Sequence, residues 1–209
     1  MREKTCCFTG HRNIPKGEEA AVRARIREET LRQMERGIDT FLVGGAVGFD
    51  MLAAEVLLEL REKEGKALRL VSVLPFQGWR DRWGTAEKDR EDRILEKSDE
   101  ILISAAAYSK QAYLHRDRRM VDASAVCIAY CNRRDGGTAY TVRYALRQGV
   151  PVVNIADWDI GQLAEGKETP APRQRNKAEK EHDGPEYEQL HMFADTVVKQ
   201  NLTIKEEET

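Results

Sequence analysis

Side chains able to hold or transfer charge concentrate in a few short stretches of this 209-residue chain. These are Thr9-Gly10-His11-Arg12, Gly44-Gly45-Ala46-Val47-Gly48-Phe49-Asp50, Tyr113-Leu114-His115-Arg116-Asp117 and Arg133-Arg134-Asp135-Gly136-Gly137-Thr138. Two of them are glycine-rich and each opens a helical pattern. A helix start presents unpaired N–H groups and roughly half a positive charge, so it favours phosphate or carboxylate. Glycine lets the backbone approach an anion with no Cβ in the way. Gly44, Gly45 and Gly48, with Gly136, Gly137 and the hydroxyl of Thr138, therefore read as two phosphate-holding helix starts. Arg12, Arg116, Arg133 and Arg134 supply positive charge beside them. Either glycine pair alone could be a mere tight turn; both together favour a ligand.

For turnover the same stretches offer Asp50, Arg116, His11 and Asp117 as candidate catalytic groups. His11 fits a general base, a hydrogen-bond donor to a ligand, or an exposed loop residue, and no Ser, Cys or carboxylate partner is identifiable from spacing. Asp50 would accept from ligand hydroxyls or brace its loop. The dinucleotide fingerprint would need glycine at Val43, and the P-loop lysine is missing. Trp79 and Trp83, four apart, fit packing of one helical face better than base stacking. Cys6, Cys7, Cys127 and Cys131 lie in or beside apolar runs and read as reduced core thiols, with no metal site expected.

The elements that must position these groups alternate. Short, β-branched apolar runs predict strands at 4–8, 40–43, 69–74, 100–103, 125–130 and 151–155. Helical patterns lie between them at 17–36, 48–64, 85–97, 111–123 and 138–148, and Gly37 and Gly149 stand where helix ends want a left-handed residue. Connections this short imply right-handed βαβ units, a mostly parallel sheet of about six strands and helices on both faces. The charged and glycine-rich stretches then all fall at the carboxyl ends of strands, where open α/β sheets bind ligands.

Composition bounds the rest. Hydrophobic residues make up 41% and charged residues 33%, enough apolar material for one core of ordinary size. A domain is expected at 1–156, a polar linker at 157–189 and a short C-terminal element with a charged tail at 190–209. With no long apolar run and no signal-like N-terminus, a cytoplasmic protein without membrane contact is expected. A formal charge of −2 and 7% aromatic residues argue against nucleic acid as a partner. A homo-oligomer stays open.

The ordered set FTGHR, GGAVGFD, PF with a downstream Trp, YLHRDRRMVD, DGGTAYTVRYA and GVPVVNI resembles the YpsA-like family of the SLOG superfamily. That superfamily also contains the cytokinin-activating LOG phosphoribohydrolases and the DNA-processing protein DprA. The resemblance runs through 1–155. It implies a doubly wound, Rossmann-like fold binding a nucleotide-derived ligand, with NAD or ADP-ribose as candidates. The ligand contacts would come from Thr9, Gly10, His11, Arg12, Gly44, Gly45, Gly48, Asp50, Arg116, Gly136, Gly137 and Thr138. Arg116 with Met120 looks like the LOG arginine motif, but Ala139-Tyr140-Thr141-Val142-Arg143 carries no carboxylate where LOG enzymes place their glutamate. The family's Tyr-x-x-Arg-Asn reads Tyr113-x-x-Arg116-Asp117, setting a negative charge beside the expected anion site. The expected function is thus nucleotide-ligand binding. A nucleotide hydrolase is the alternative and DprA-like single-strand binding the third reading.

Overall fold

The computed structural model describes residues 2–109 and 111–164. Six strands, β1 (Thr5–Gly10), β2 (Thr40–Val43), β3 (Arg69–Leu74), β4 (Glu100–Ile103), β5 (Val126–Tyr130) and β6 (Val152–Asn154), form one sheet in the order β4-β3-β2-β1-β5-β6. Every pairing is parallel. Between the strands run α1 (Glu19–Glu35), α2 (Phe49–Glu64), α3 (Thr85–Glu96), α4 (Ala112–Asp122) and α5 (Gly136–Arg147), followed by the short α6 (Gly161–Ala164). This is the parallel α/β architecture expected from the alternation, in the Rossmann-like form that the resemblance implies.

Side-chain alternation splits the core into two layers. Cys6 and Phe8 of β1, with Phe41, Val43, Leu70 and Ile128, meet the apolar stripes of α1 and α2. Cys7, Leu42, Val71, Val73 and Cys127 point the other way, onto Met120 and Val121 of α4 and Ala145 of α5. A parallel sheet covered on both faces needs such continuous apolar strands. All four cysteines are buried free thiols. Gly37 and Gly149 have φ of +92° and +68°, the left-handed conformation that ends α1 and α5.

From β1 the chain winds outward to β4, then returns to lay β5 against the other side of β1. The connections after β1 and β5 thus diverge to opposite faces, which leaves a crevice at their carboxyl ends. Part of the expected linker packs on α5 and the chain after β5: Leu163 is buried against Cys131, Ala139 and Val142, with Trp158 and Ile160 beside it. The remainder of that linker and the expected C-terminal element lie outside the described residues. No helix among the described residues is long and apolar enough to cross a membrane.

Candidate functional site

The two glycine-rich helix starts differ. At α2 the space left by absent Cβ atoms is filled by the protein. A Cβ on Gly44 would collide with the guanidinium of Arg116 and meet Asp50 Oδ2 at 2.6 Å, while one on Gly45 would meet Leu74 at 2.6 Å and Glu91 Oε1 at 2.8 Å. Gly48, at φ +85°, lies against the backbone of Arg12, where any side chain would clash. Phe49 donates its N–H to the carbonyl of His11 (3.2 Å), and the Asp50 carboxylate accepts from the N–H of Ala46. This opening already holds an anion of its own.

The start of α5 is open. Its N-cap, Asp135, is extended (φ −119°, ψ 171°) and makes no side-chain cap, and the first turn carries no acidic residue. A Cβ on Gly137 would meet nothing within 4 Å, and Gly136 sits at φ +85° with only Arg133 Nη2 nearby, at 3.7 Å. Because α5 begins at Gly136 rather than at the predicted 138, both glycines belong to the first turn and Thr138 is helical and buried. Arg12, Arg133 and Arg134 are exposed on the same rim.

His11 ties these loops together. It is 5% exposed, and its Nε2 accepts the N–H of Asn132 (3.2 Å), which makes the ring neutral with its proton on Nδ1. Burial, then the Arg133 charge, push its pKa below the ordinary 6.5. His11 is thus a buried hydrogen-bond acceptor and not an exposed loop residue. Thr9 and Gly10, predicted in the loop, instead extend β1 to pair with Ala129 and Tyr130, since Gly10 leaves room for the Phe49 ring.

Arg116 is 5% exposed. Its Nη1 lies 4.0 Å from Asp50 Oδ2 and 3.5 Å from the carbonyl of Val73. Nε is 2.7 Å from Asp117 Oδ1, yet its N–H makes no hydrogen bond. Asp117 also reaches α5, where Thr141 Oγ1 lies 3.1 Å from its Oδ2 and 2.9 Å from the carbonyl of Gly137. Burial raises the pKa of Asp50 to about 6, against the lowering effect of Arg116. Glu91 of α3, which no motif in the sequence flags, is 1% exposed with both carboxylate oxygens unpartnered. Burial first, and the Asp50 charge second, raise its pKa to about 7. Its only signal in the sequence is position, since it stands three residues before Ile94, the other buried residue of α3.

Trp79 and Trp83 pack, in the turns after β3 rather than along a helical face: Trp79 Nε1 donates to the carbonyl of Gly45 (2.9 Å) and its ring meets Trp83 edge-on at 6.3 Å. The exposed aromatic of this rim is Tyr108, 67% exposed and edge-on to buried Phe76 at 5.4 Å. Phe76 also meets Tyr113 at 5.6 Å, and Arg12 lies over the Tyr113 ring at 5.6 Å.

Comparison with known proteins follows the same lines. Solved structures of similar fold include DNA processing protein A of Helicobacter pylori, whose report describes a single-stranded DNA binding mode. It has a TM-score of 0.54 and 18% identity over 77% of this chain and 71% of that one. DprA of Streptococcus pneumoniae has a TM-score of 0.53 and 20% identity, covering 73% and 52%. The Helicobacter finding overturns the expectation that nucleic acid is no partner for a protein of this kind. A charge of −2 summed over the chain says nothing of one face, and this rim exposes Arg12, Arg133 and Arg134. Among sequence relatives, a UPF0398 protein of Bacillus pumilus is 26% identical over 127 residues, 59% of this chain and 68% of that protein. Another from Bacillus velezensis is 24% identical over 152 residues, 69% and 81% of the two chains. The family model described as "YspA SLOG family" matches residues 7–150, and the chain belongs to that YpsA family.

Proposed function

We propose that this protein binds a nucleotide or nucleotide-derived ligand in the crevice between the ends of β1 and β5, with its phosphate on the first turn of α5. The observation that carries this reading is the α5 start itself: uncapped by any side chain, with no acidic residue in its first turn, open above Gly137 and set where strand order reverses. Arg12 and Arg133 add charge for phosphate. Asp50, at the closed end, suits ligand hydroxyls rather than phosphate, because it already neutralises the α2 start. Tyr113, under Arg12, and Tyr108, across Phe76 from it, suit a base. NAD and ADP-ribose combine these parts.

Calorimetry with NAD, ADP-ribose and AMP tests the proposal on the native chain and on Gly137→Val. A Cβ at this position meets no protein atom within 4 Å, so the variant should keep its fold and lose the ligand. Silence of the whole panel with folded protein, or undiminished binding by Gly137→Val, overturns it. A second reading, single-stranded DNA along the same rim, is favoured by the Helicobacter likeness and by the exposed ring of Tyr108. An oligonucleotide gel shift at low salt, repeated with Tyr108→Ala, reads it. A hydrolytic role would need Asp50 or Asp117 as its carboxylate, and both are engaged, by Ala46 and by Thr141.

A further inference from the structure

Away from the crevice, α5 carries a second feature along its length. Thr138, Ala139, Thr141, Val142 and Ala145 are its buried residues, so Tyr140, Arg143, Tyr144 and Arg147 form the opposite stripe at three- and four-residue steps. The helix contains no acidic residue. Arg118 of α4 lies 5.5 Å from the ring centres of both Tyr140 and Tyr144, and its Nε donates to the Tyr140 hydroxyl (2.7 Å). Arg143 Nη1 donates to the carbonyl of Arg134 (2.9 Å), and Arg134 Nη2 to Gln162 Oε1 (2.8 Å). Each of these guanidiniums is held by a neutral group. Arg147 is exposed and, among the described residues, faces no carboxylate. Of the acids on α4, Asp117 is committed to Arg116 and Thr141, and Asp122 accepts from the Tyr144 hydroxyl (2.9 Å). The other side of the sheet is built differently: Arg23, Arg27, Arg32, Arg61 and Arg90 each pair with a carboxylate.

We infer that the outer face of α4 and α5 binds the phosphate backbone of a single-stranded nucleic acid. Neutral acceptors order a guanidinium without cancelling its charge, so its fork of donors stays set for an oxyanion. The stripe runs along a 12-residue helix, about 18 Å. That length suits a chain of phosphates rather than one. Tyr140 and Tyr144 are half-buried between the arginines and leave ring surface on which unpaired bases can stack. A duplex keeps its bases stacked inside and gains nothing from those rings. A protein partner would need an apolar centre, and on this face Leu146 is the large apolar side chain that is exposed among the described residues. The surface is one that neither reading of the crevice and its rim uses.

Fluorescence anisotropy of a labelled oligothymidine, titrated with the full chain over a range of salt concentrations, tests this. Arg118→Gln and Arg147→Gln should each weaken binding about three- to tenfold and lower the log–log salt slope by about 0.7, the value of one lost phosphate contact on a single strand. Arg147 is exposed, so its variant keeps the fold. Arg93→Gln, at an exposed arginine of α3 on the opposite side of the sheet, should change neither quantity. An equal loss with Arg93→Gln would reduce the effect to overall charge and overturn the assignment of the face. Binding that depends on Tyr108 but ignores Arg118→Gln and Arg147→Gln overturns it too, and leaves the strand on the rim. Displacement of the oligonucleotide by polyglutamate at equal charge would give the face to an acidic protein and overturn the nucleic-acid inference. No binding at low salt by folded protein removes this inference and the single-strand reading of the rim together, while the nucleotide crevice stands on its own calorimetry.

Discussion

Glu91→Gln should change the pH dependence of stability in a direction opposite to that of an ordinary paired carboxylate. The folded chain raises Glu91 from 4.5 to about 7, through burial and the neighbouring Asp50. Between those values the unfolded chain has released its proton while the folded chain still holds one, so stability falls as pH rises across that window and is flat above it. The interval corresponds to about 3 kcal/mol. The substituted glutamine would keep the shape of the side chain and carry no proton to lose. Relative to the native chain, the variant should therefore gain about 3 kcal/mol between roughly pH 4.5 and pH 7.5. Urea denaturation at several pH values reads this directly, with the slope on denaturant unchanged. Other titrating groups cancel in the difference between the two proteins. Parallel stability curves for the two would refute the reasoning, because they would mean that Glu91 ionises freely in the folded state.

The glycines separate by role: Gly48→Ala, at φ +85° against the Arg12 backbone, should cost about 2 kcal/mol or more, whereas Gly137→Ala should be neutral or stabilising by about 0.5 kcal/mol. Thermal melts of the two variants check it. Arg116→Ala should cost about 3–5 kcal/mol near neutral pH by stranding Asp50, with the loss shrinking as acid protonates that carboxyl, which denaturant titration at two pH values measures. His11 should titrate below 6.5 by NMR. The unfolded chain binds its proton first as pH falls, so the stability His11 contributes is present above 6.5 and lost as pH drops through the folded midpoint. Tyr108→Ala should weaken ligands that carry a base about tenfold and leave ribose 5-phosphate unaffected, as read by calorimetry.

Much of the architecture is legible in the chain itself. Apolar runs of β-branched residues alternating with helical patterns dictate parallel βαβ units, and the observed strands differ from the predicted ones only at their ends. Those ends matter at the site. Pairing of Thr9 and Gly10 with β5 moves them out of the loop, and the start of α5 at Gly136 puts Thr138 inside the helix, buried. Both shifts come from contacts between segments distant in sequence, which local patterns do not encode. Net charge misleads for a similar reason, since a sum over the chain erases the arginines gathered on one rim.

The sequence by itself determined that glycine-rich helix starts, arginines and aspartates would gather at the carboxyl edge of one sheet, because strand direction and the short connections leave them nowhere else to go. Only the tertiary structure decided which start stays open. The two glycine motifs are alike as strings, but α4 delivers Arg116 onto Gly44 and α3 delivers Glu91 beneath Gly45, while nothing is delivered onto Gly137. What fills the space beside a glycine is set by elements far along the chain, and that packing distinguishes a filled helix start from an open one.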